Sequence, residues 1–152
     1  MFEKAKNHLI KYHLDNRIIE FSVSTATVAL AASALGITEG EIAKTMAFMV
    51  GSDAILVVAA GDKRIDNAKY KACFNTKAKM IAYDEVECII GHAAGGVCPF
   101  GINDNIKVYL DESLKVYEYV YPACGNSASA VKLKISELEI ASNYVEWVNI
   151  CK

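Results

Sequence analysis

KTMAFMVGSDAILVVAA, residues 44–60, decides the architecture. Two apolar runs, KTMAFMV and AILVVAA, are joined by Gly51-Ser52-Asp53. Short apolar runs rich in β-branched residues and split by turn formers read as the two strands of a β-hairpin. Neighbouring strand residues face opposite ways, so Lys44, Met46 and Phe48 share one face.

Upstream, RIIEF (17–21) is a short strand, and Ser24 or Thr25 can N-cap a helix with the body TVALAASAL that closes at Gly36. Thr38 with Glu41 forms a capping box for one more turn. At the start of the chain, Phe2, Ala5, Leu9 and Tyr12 recur at helical spacing over Phe2 to His13. Downstream, Gly61-Asp62 turns the chain into a helix, RIDNAKYKACF, with Ile65, Ala68, Ala72 and at its margin Cys73 turned inward. KMIA is a short strand, and DEVECIIG is a helix whose acidic start suits the helix dipole. IKVYLD, YEYVYPA and SASAVKLKI read as strands, with ESLK a brief helix after the first. SELEIAS is a capped short helix, and YVEWVNI closes the chain as a strand. Strands outnumber helices, and local hairpins dominate. The expected class is α+β: a mixed, largely antiparallel sheet or barrel with helices packed around it. No repeat or linker interrupts the chain, so residues 1–152 read as one domain.

Hydrophobic residues make up 53% of the chain, which excludes a disordered polymer. The formal net charge of -2 supplies no global field for nucleic acid, although a local cationic face needs only a few Lys and Arg. The N-terminal MFEKAKNHLIKYHLDNR lacks the apolar core of a signal peptide, and no stretch approaches the ~20 apolar residues of a membrane span. A cytoplasmic protein is expected. The five cysteines, Cys73, Cys88, Cys98, Cys124 and Cys151, include no C-x-x-C pair, so reduced and mostly buried thiols are expected.

The chemistry concentrates in GHAAGGVCPFG, residues 91–101. A thiol site needs Cys98 activated, but Pro99 directly after it prevents a nucleophile-bearing helix turn. A metal site needs converging ligands; His8 and His13 do not share a helix face and His92 stands alone. No Walker pattern or Gly-x-Gly-x-x-Gly motif is present. What remains is backbone chemistry. Consecutive glycines permit positive φ and leave N–H groups bare, able to aim at a carbonyl oxygen or a water. A plain glycine turn between two elements satisfies the same residues.

The loop is one of an ordered set: EFSVSTATVALAASALG, IAKTMAF, GDKRID, GHAAGGVCPFG, IKVYLDESL and ACGNSASAVKLKISEL. In this order and spacing, from about Arg17 to the C-terminus, the chain resembles the YbaK/EbsC family, the prolyl-tRNA-synthetase-associated editing domain. The resemblance implies a mixed β-barrel-like sheet surrounded by helices. It also implies hydrolysis in trans of the ester in mischarged aminoacyl-tRNA. Specificities in the family include Cys-tRNA(Pro), Ala-tRNA(Pro) and Ser- or Thr-charged tRNAs. No cofactor or metal is implied. The implied partners are the aminoacyl-tRNA acceptor end and a synthetase, not a membrane or DNA.

The family's functional positions carry over one at a time. Its central lysine, in a Lys-Thr step, matches Lys44-Thr45. Its Gly-x-x-x-Pro loop matches Gly95 to Pro99, with Gly96 a second glycine. Its strand-end aspartate matches Asp111, which also suits an N-cap for ESLK. Its late glycine matches Gly125. The aromatic near the first strand, often Tyr in the Cys-editing branch, is Phe21. Many members have a histidine after PFG, where this chain has Ile102. The resemblance makes Lys44 and the Gly95 and Gly96 amides the catalytic group, with Asp111 beside them. Phe21, Met46 and Phe48 are candidate pocket walls, together with Thr45, Pro99 and Gly125. Lys63, Arg64, Lys69, Lys71, Lys77 and Lys79 are candidates for the acceptor-stem face. A non-catalytic member binding tRNA, a synthetase or a small ligand is the second class of function. An esterase or thiol enzyme built on Cys98 is the third.

Overall fold

The computed structural model describes residues 1–152. In chain order the elements are α1 (Phe2–Ile10), β1 (Ile18–Glu20), α2 (Val28–Leu35), β2 (Ala43–Val50), β3 (Asp53–Ala60), α3 (Asn67–Phe74), α4 (Val86–Ile90), β4 (Lys107–Asp111), β5 (Tyr119–Val120), β6 (Ser129–Val131), β7 (Leu133–Lys134), α5 (Ile135–Ser142) and β8 (Glu146–Val148). Four strands form the central sheet in the order β2-β3-β4-β8. β2 and β3 are antiparallel, while β4 and β8 add in parallel. β1–β6 and β5–β7 are separate antiparallel pairs. The class is the expected α+β with antiparallel pairing dominant. The sheets stay open rather than closing into a barrel, and only β2–β3 is a local hairpin.

β3 is apolar from Ala54 onward because Ile55 to Ala60 are covered on both faces. Leu56, Val58 and Ala60 enter the larger core cluster, while Ile55, Val57 and Ala59 enter a smaller one with Phe48, Tyr70 and Ile150. Its hairpin partner β2 turns back at Gly51-Ser52, with Val50 opposite Asp53. Gly51 sits at φ 63°, the left-handed region that a tight hairpin turn demands.

Three local expectations are corrected. α2 is capped by Thr27, whose Oγ1 accepts from the Leu30 N–H at 3.2 Å, rather than by Ser24 or Thr25. Thr25 is still in extended register, its N–H donating to the Ser127 carbonyl at 2.6 Å, so helical geometry starts later. α3 turns in Tyr70 and part of Phe74, and leaves Ala68, Ala72 and Cys73 exposed. The aromatic rings decide its rotation: Tyr70 lies 5.1 Å from Phe48 and 4.8 Å from Phe74, centroid to centroid. KMIA is not a strand but a single bridge, Met80 to Phe48. The capping box of Thr38 and Glu41 and the helix end at Gly36 form as read from the sequence. No helix is long and apolar enough to cross a membrane.

Candidate active site

β2 is the outer strand of the central sheet, and its open edge is only partly covered. At one end Ile42 bridges Tyr121, and the Ala43 N–H donates to the Tyr121 carbonyl at 3.1 Å. At the other end the Met49 N–H donates to Lys79 and the Ile81 N–H to Ala47, at 2.9 and 3.0 Å. Between them Lys44 to Met46 have no neighbour on that edge, and a cavity of about 360 Å³ opens there. Backbone polarity alternates along a strand. Ala43 and Met49 both donate outward, so the N–H of Thr45 faces the gap as well.

Six segments wall the cavity. Lys44, Thr45 and Met46 come from β2; Ala26, Val28 and Ala31 from the start of α2; Ile81 and Tyr83 from the following strip. Ala94, Gly95 and Val97 come from the glycine loop; Tyr121 and Ala123 from the segment after β5, and Ser129 and Ala130 from β6. The lining is mostly apolar, and Lys44 is its one cation. Thr25 and Thr45 also line it, and their hydroxyls are buried without a partner.

The two glycines of the loop do different work. Gly95 faces the cavity at φ 93°, and a Cβ there would meet Ala26 Cβ at 3.3 Å. Gly96 closes a turn, its N–H donating to the Ala93 carbonyl at 3.0 Å, and a Cβ there would strike the Asn126 backbone at 2.5 Å. Its amide is therefore already used. The amides of Ala94, Gly95 and Val97 find no acceptor in the protein, and all three residues line the cavity.

Lys44 stands between this cavity and a second, wholly polar hollow of about 480 Å³ formed with Thr38, Glu39, Asp62, Lys63 and Arg64. Its Nζ donates to the Lys63 carbonyl. Burial lowers its pKa and Arg64 pushes the same way, while Cys151 and Asp62 oppose them.

The remaining sequence candidates are dispersed. Thr45 and Met46 line the cavity; Phe21, Phe48, Pro99 and Gly125 do not. Phe48 is buried under α3 because it shares the face of β2 that packs on Tyr70. Gly125, at φ 83°, lets the chain pass close to Met1. Asp111 is 1% exposed and touches neither hollow. Its carboxylate accepts from the N–H of Ser113 and of Ile150, both at 2.9 Å, capping the turn after β4 and pinning the end of the chain. Lys63, Arg64, Lys71, Lys77 and Lys79 are exposed and form no ion pair. Lys69 is committed to the Cys151 carbonyl at 2.9 Å. Cys98 is fully buried, and burial drives its thiol pKa far above the ordinary value. It is a packed side chain beside His92, at 3.6 Å, not a nucleophile. Nothing in the sequence marked Ala26, Tyr83 or Tyr121, and Thr25 stood out only as a cap candidate, since small and aromatic residues carry no signal until the fold gathers them.

Comparisons with known proteins bear on the family and the fold. A family model described as the aminoacyl-tRNA editing domain matches residues 22–140, a span holding every segment of the cavity wall. YwhH of Bacillus subtilis (strain 168), an uncharacterised protein, is 42% identical over 151 residues, covering 99% of this chain and 96% of its own. EbsC of Enterococcus faecalis (strain ATCC 700802 / V583), provisionally named a Cys-tRNA(Pro)/Cys-tRNA(Cys) deacylase, is 30% identical over 67% of this chain and 63% of its own. A crystal structure provisionally described as a trans-editing enzyme for prolyl tRNA synthetase superposes with a TM-score of 0.89 at 26% identity, covering 99% of this chain and 96% of that one. A match of this extent, in sequence and in fold together, places the chain in one group: it belongs to the aminoacyl-tRNA editing domain family.

Proposed function

We propose that the protein hydrolyses the ester of a mischarged aminoacyl-tRNA, releasing a small amino acid of the Cys, Ala or Ser/Thr type, with tRNA(Pro) the leading carrier. The observation that carries this reading is the position of Lys44, between an apolar cavity that admits an aminoacyl group and a polar hollow. The amino acid enters the cavity, and the ribose lies toward Lys44. The carbonyl oxygen meets the free amides of the glycine loop, with Gly95 central.

Water adds to the carbonyl carbon, the negative charge on the carbonyl oxygen is held by those amides, and the bond to the ribose oxygen breaks. The ribose oxygen leaves with a proton, giving free amino acid and intact tRNA. An aminoacyl ester is already activated, so positioning and oxyanion stabilisation suffice. No carboxylate or imidazole lines the cavity, so no triad takes part. A synthetase that delivers the mischarged tRNA is the implied protein partner. Asp111 acts in this scheme as support for the turn after β4 rather than at the ester.

The test is a deacylation panel of tRNA(Pro) charged with Ala, Cys or Pro, and of Ser- and Thr-charged tRNAs. Wild type should hydrolyse one class, and Lys44→Ala should lower that rate about 100-fold or more while remaining folded. No hydrolysis of any member by folded wild type would move the protein to the non-catalytic, tRNA-binding class.

A further inference from the structure

Residues 77–83 run along the open edge of β2 and are anchored by their backbone. The Met49 N–H donates to Lys79, the Ile81 N–H donates to Ala47, and Met80 bridges Phe48. The anchoring does not bury the side chains. Met80 is 62% exposed and Tyr83 80%, and both stand on the rim of the apolar cavity. The Tyr83 ring belongs to no core cluster, so it packs nothing inside the protein. Lys77 and Lys79 on the same strip are exposed and unpaired, and Asp84 and Glu85 follow at its far end.

We infer that Tyr83 is a stacking platform for the terminal nucleobase of the RNA, with Lys77 and Lys79 facing the phosphates of the nucleotides before it. The inference rests on the deacylase reading of the cavity. An amino acid seated in the cavity is joined through a single ribose to a base, and a base held at the rim meets the strip of residues 77–83. The hollow on the other side of Lys44 is lined by no aromatic side chain, and Arg64 is its one planar cationic group. Tyr83 offers a flat, exposed ring two residues beyond the anchored Ile81, and every base has a face that stacks on one. The charge order sets the direction: the anionic backbone runs over Lys77 and Lys79 and away from Asp84 and Glu85.

The probe is an uncharged acceptor-stem RNA minihelix ending in CCA, with 2-aminopurine replacing the terminal adenine. Wild type and Tyr83→Phe should quench its fluorescence alike, and Tyr83→Ala should weaken binding about 5- to 100-fold. On the charged minihelix, Tyr83→Ala should raise KM with little change in kcat. On the methyl ester of the same amino acid, which carries no base, Tyr83→Ala should lose less than it loses on the charged minihelix. No quenching by wild type, equal binding by Tyr83→Ala, or a loss in Tyr83→Phe as large as in Tyr83→Ala would overturn the platform. Tyr83-dependent quenching without hydrolysis of any charged RNA would support the platform and overturn the deacylase reading instead.

Discussion

Asp111 and Lys44 show how far residue type alone carries. Both are polar residues at strand ends in the sequence, and both match family positions. Asp111 is buried beside the last strand, paired with Val148, and spends its two oxygens on backbone N–H groups. Lys44 is half-buried on the wall of two hollows. Asp111→Ala should therefore cost about 2–4 kcal/mol of stability, because two buried donors lose their acceptor. The activity of the remaining folded protein should be unchanged. Denaturant melts read beside deacylation rates check this; a stable but inactive variant would return Asp111 to the catalytic group. The adjacent glycines divide in the same way. Gly95 serves the cavity, and Gly96 lets the loop lie against Asn126.

At the scale of elements, hydrophobic pattern identified the strands and helices, but the rotation of α3 was settled by ring packing. Ala68 and Ala72 fit a helical stripe as well as Tyr70 and Phe74 do. The aromatic pair wins because it covers far more apolar surface on Phe48 and Tyr109. Tyr70 carries one cost, a buried hydroxyl with no partner. Tyr70→Phe should keep the packing and remove that cost, leaving stability equal or up to about 1 kcal/mol higher, while Tyr70→Ala should lose about 3–5 kcal/mol. Thermal melts of the two variants decide it, and a destabilised Tyr70→Phe would show that the hydroxyl has a partner in solution. The short KMIA segment failed as a strand for a related reason. Lys79 and Ile81 bond to β2 on either side of the single Met80–Phe48 bridge, and the rest of the edge is left to the cavity.

At the scale of the molecule, charge and burial act over longer range. His92 is fully buried, its Nε2–H donates to the Phe100 carbonyl at 2.6 Å, and its Nδ1 has no partner. Burial lowers its pKa below the ordinary 6.5, so the folded state holds the ring neutral. The unfolded chain takes up that proton more readily. His92 therefore stabilises the fold above pH ~6.5, and this contribution falls as pH drops below that value toward the folded-state pKa. The fall in Tm between pH 7.5 and 5.5 should be shallower in a folded His92→Gln variant. Binding of tRNA should weaken with salt despite the net charge of -2. Neutralising Lys71, Lys77 and Lys79 should reduce the salt slope by about one per lost phosphate contact, and Lys69→Ala should change it least, because Lys69 is tied to Cys151. A slope unchanged by the triple variant would exclude that face.

What the sequence determined alone was local. The hairpin of residues 44–60, the capping box at Thr38 and the glycine stop at Gly36 rest on interactions within a few residues, and each is legible from residue types and spacing. The order of motifs likewise identified the family and brought Lys44, Thr45, Met46 and Gly95 to notice. Only the tertiary structure decided which candidates meet. The cavity exists because β2 is left unpaired between Tyr121 and Met80, residues that are distant in the chain. Its wall comes from segments that no sequence period connects. The same packing keeps Phe48 and Asp111 off the cavity wall and puts Thr25 and Tyr83 on it. Burial and edge pairing are properties of the assembled chain, so a polar or aromatic residue shows its role only when its neighbours are in place.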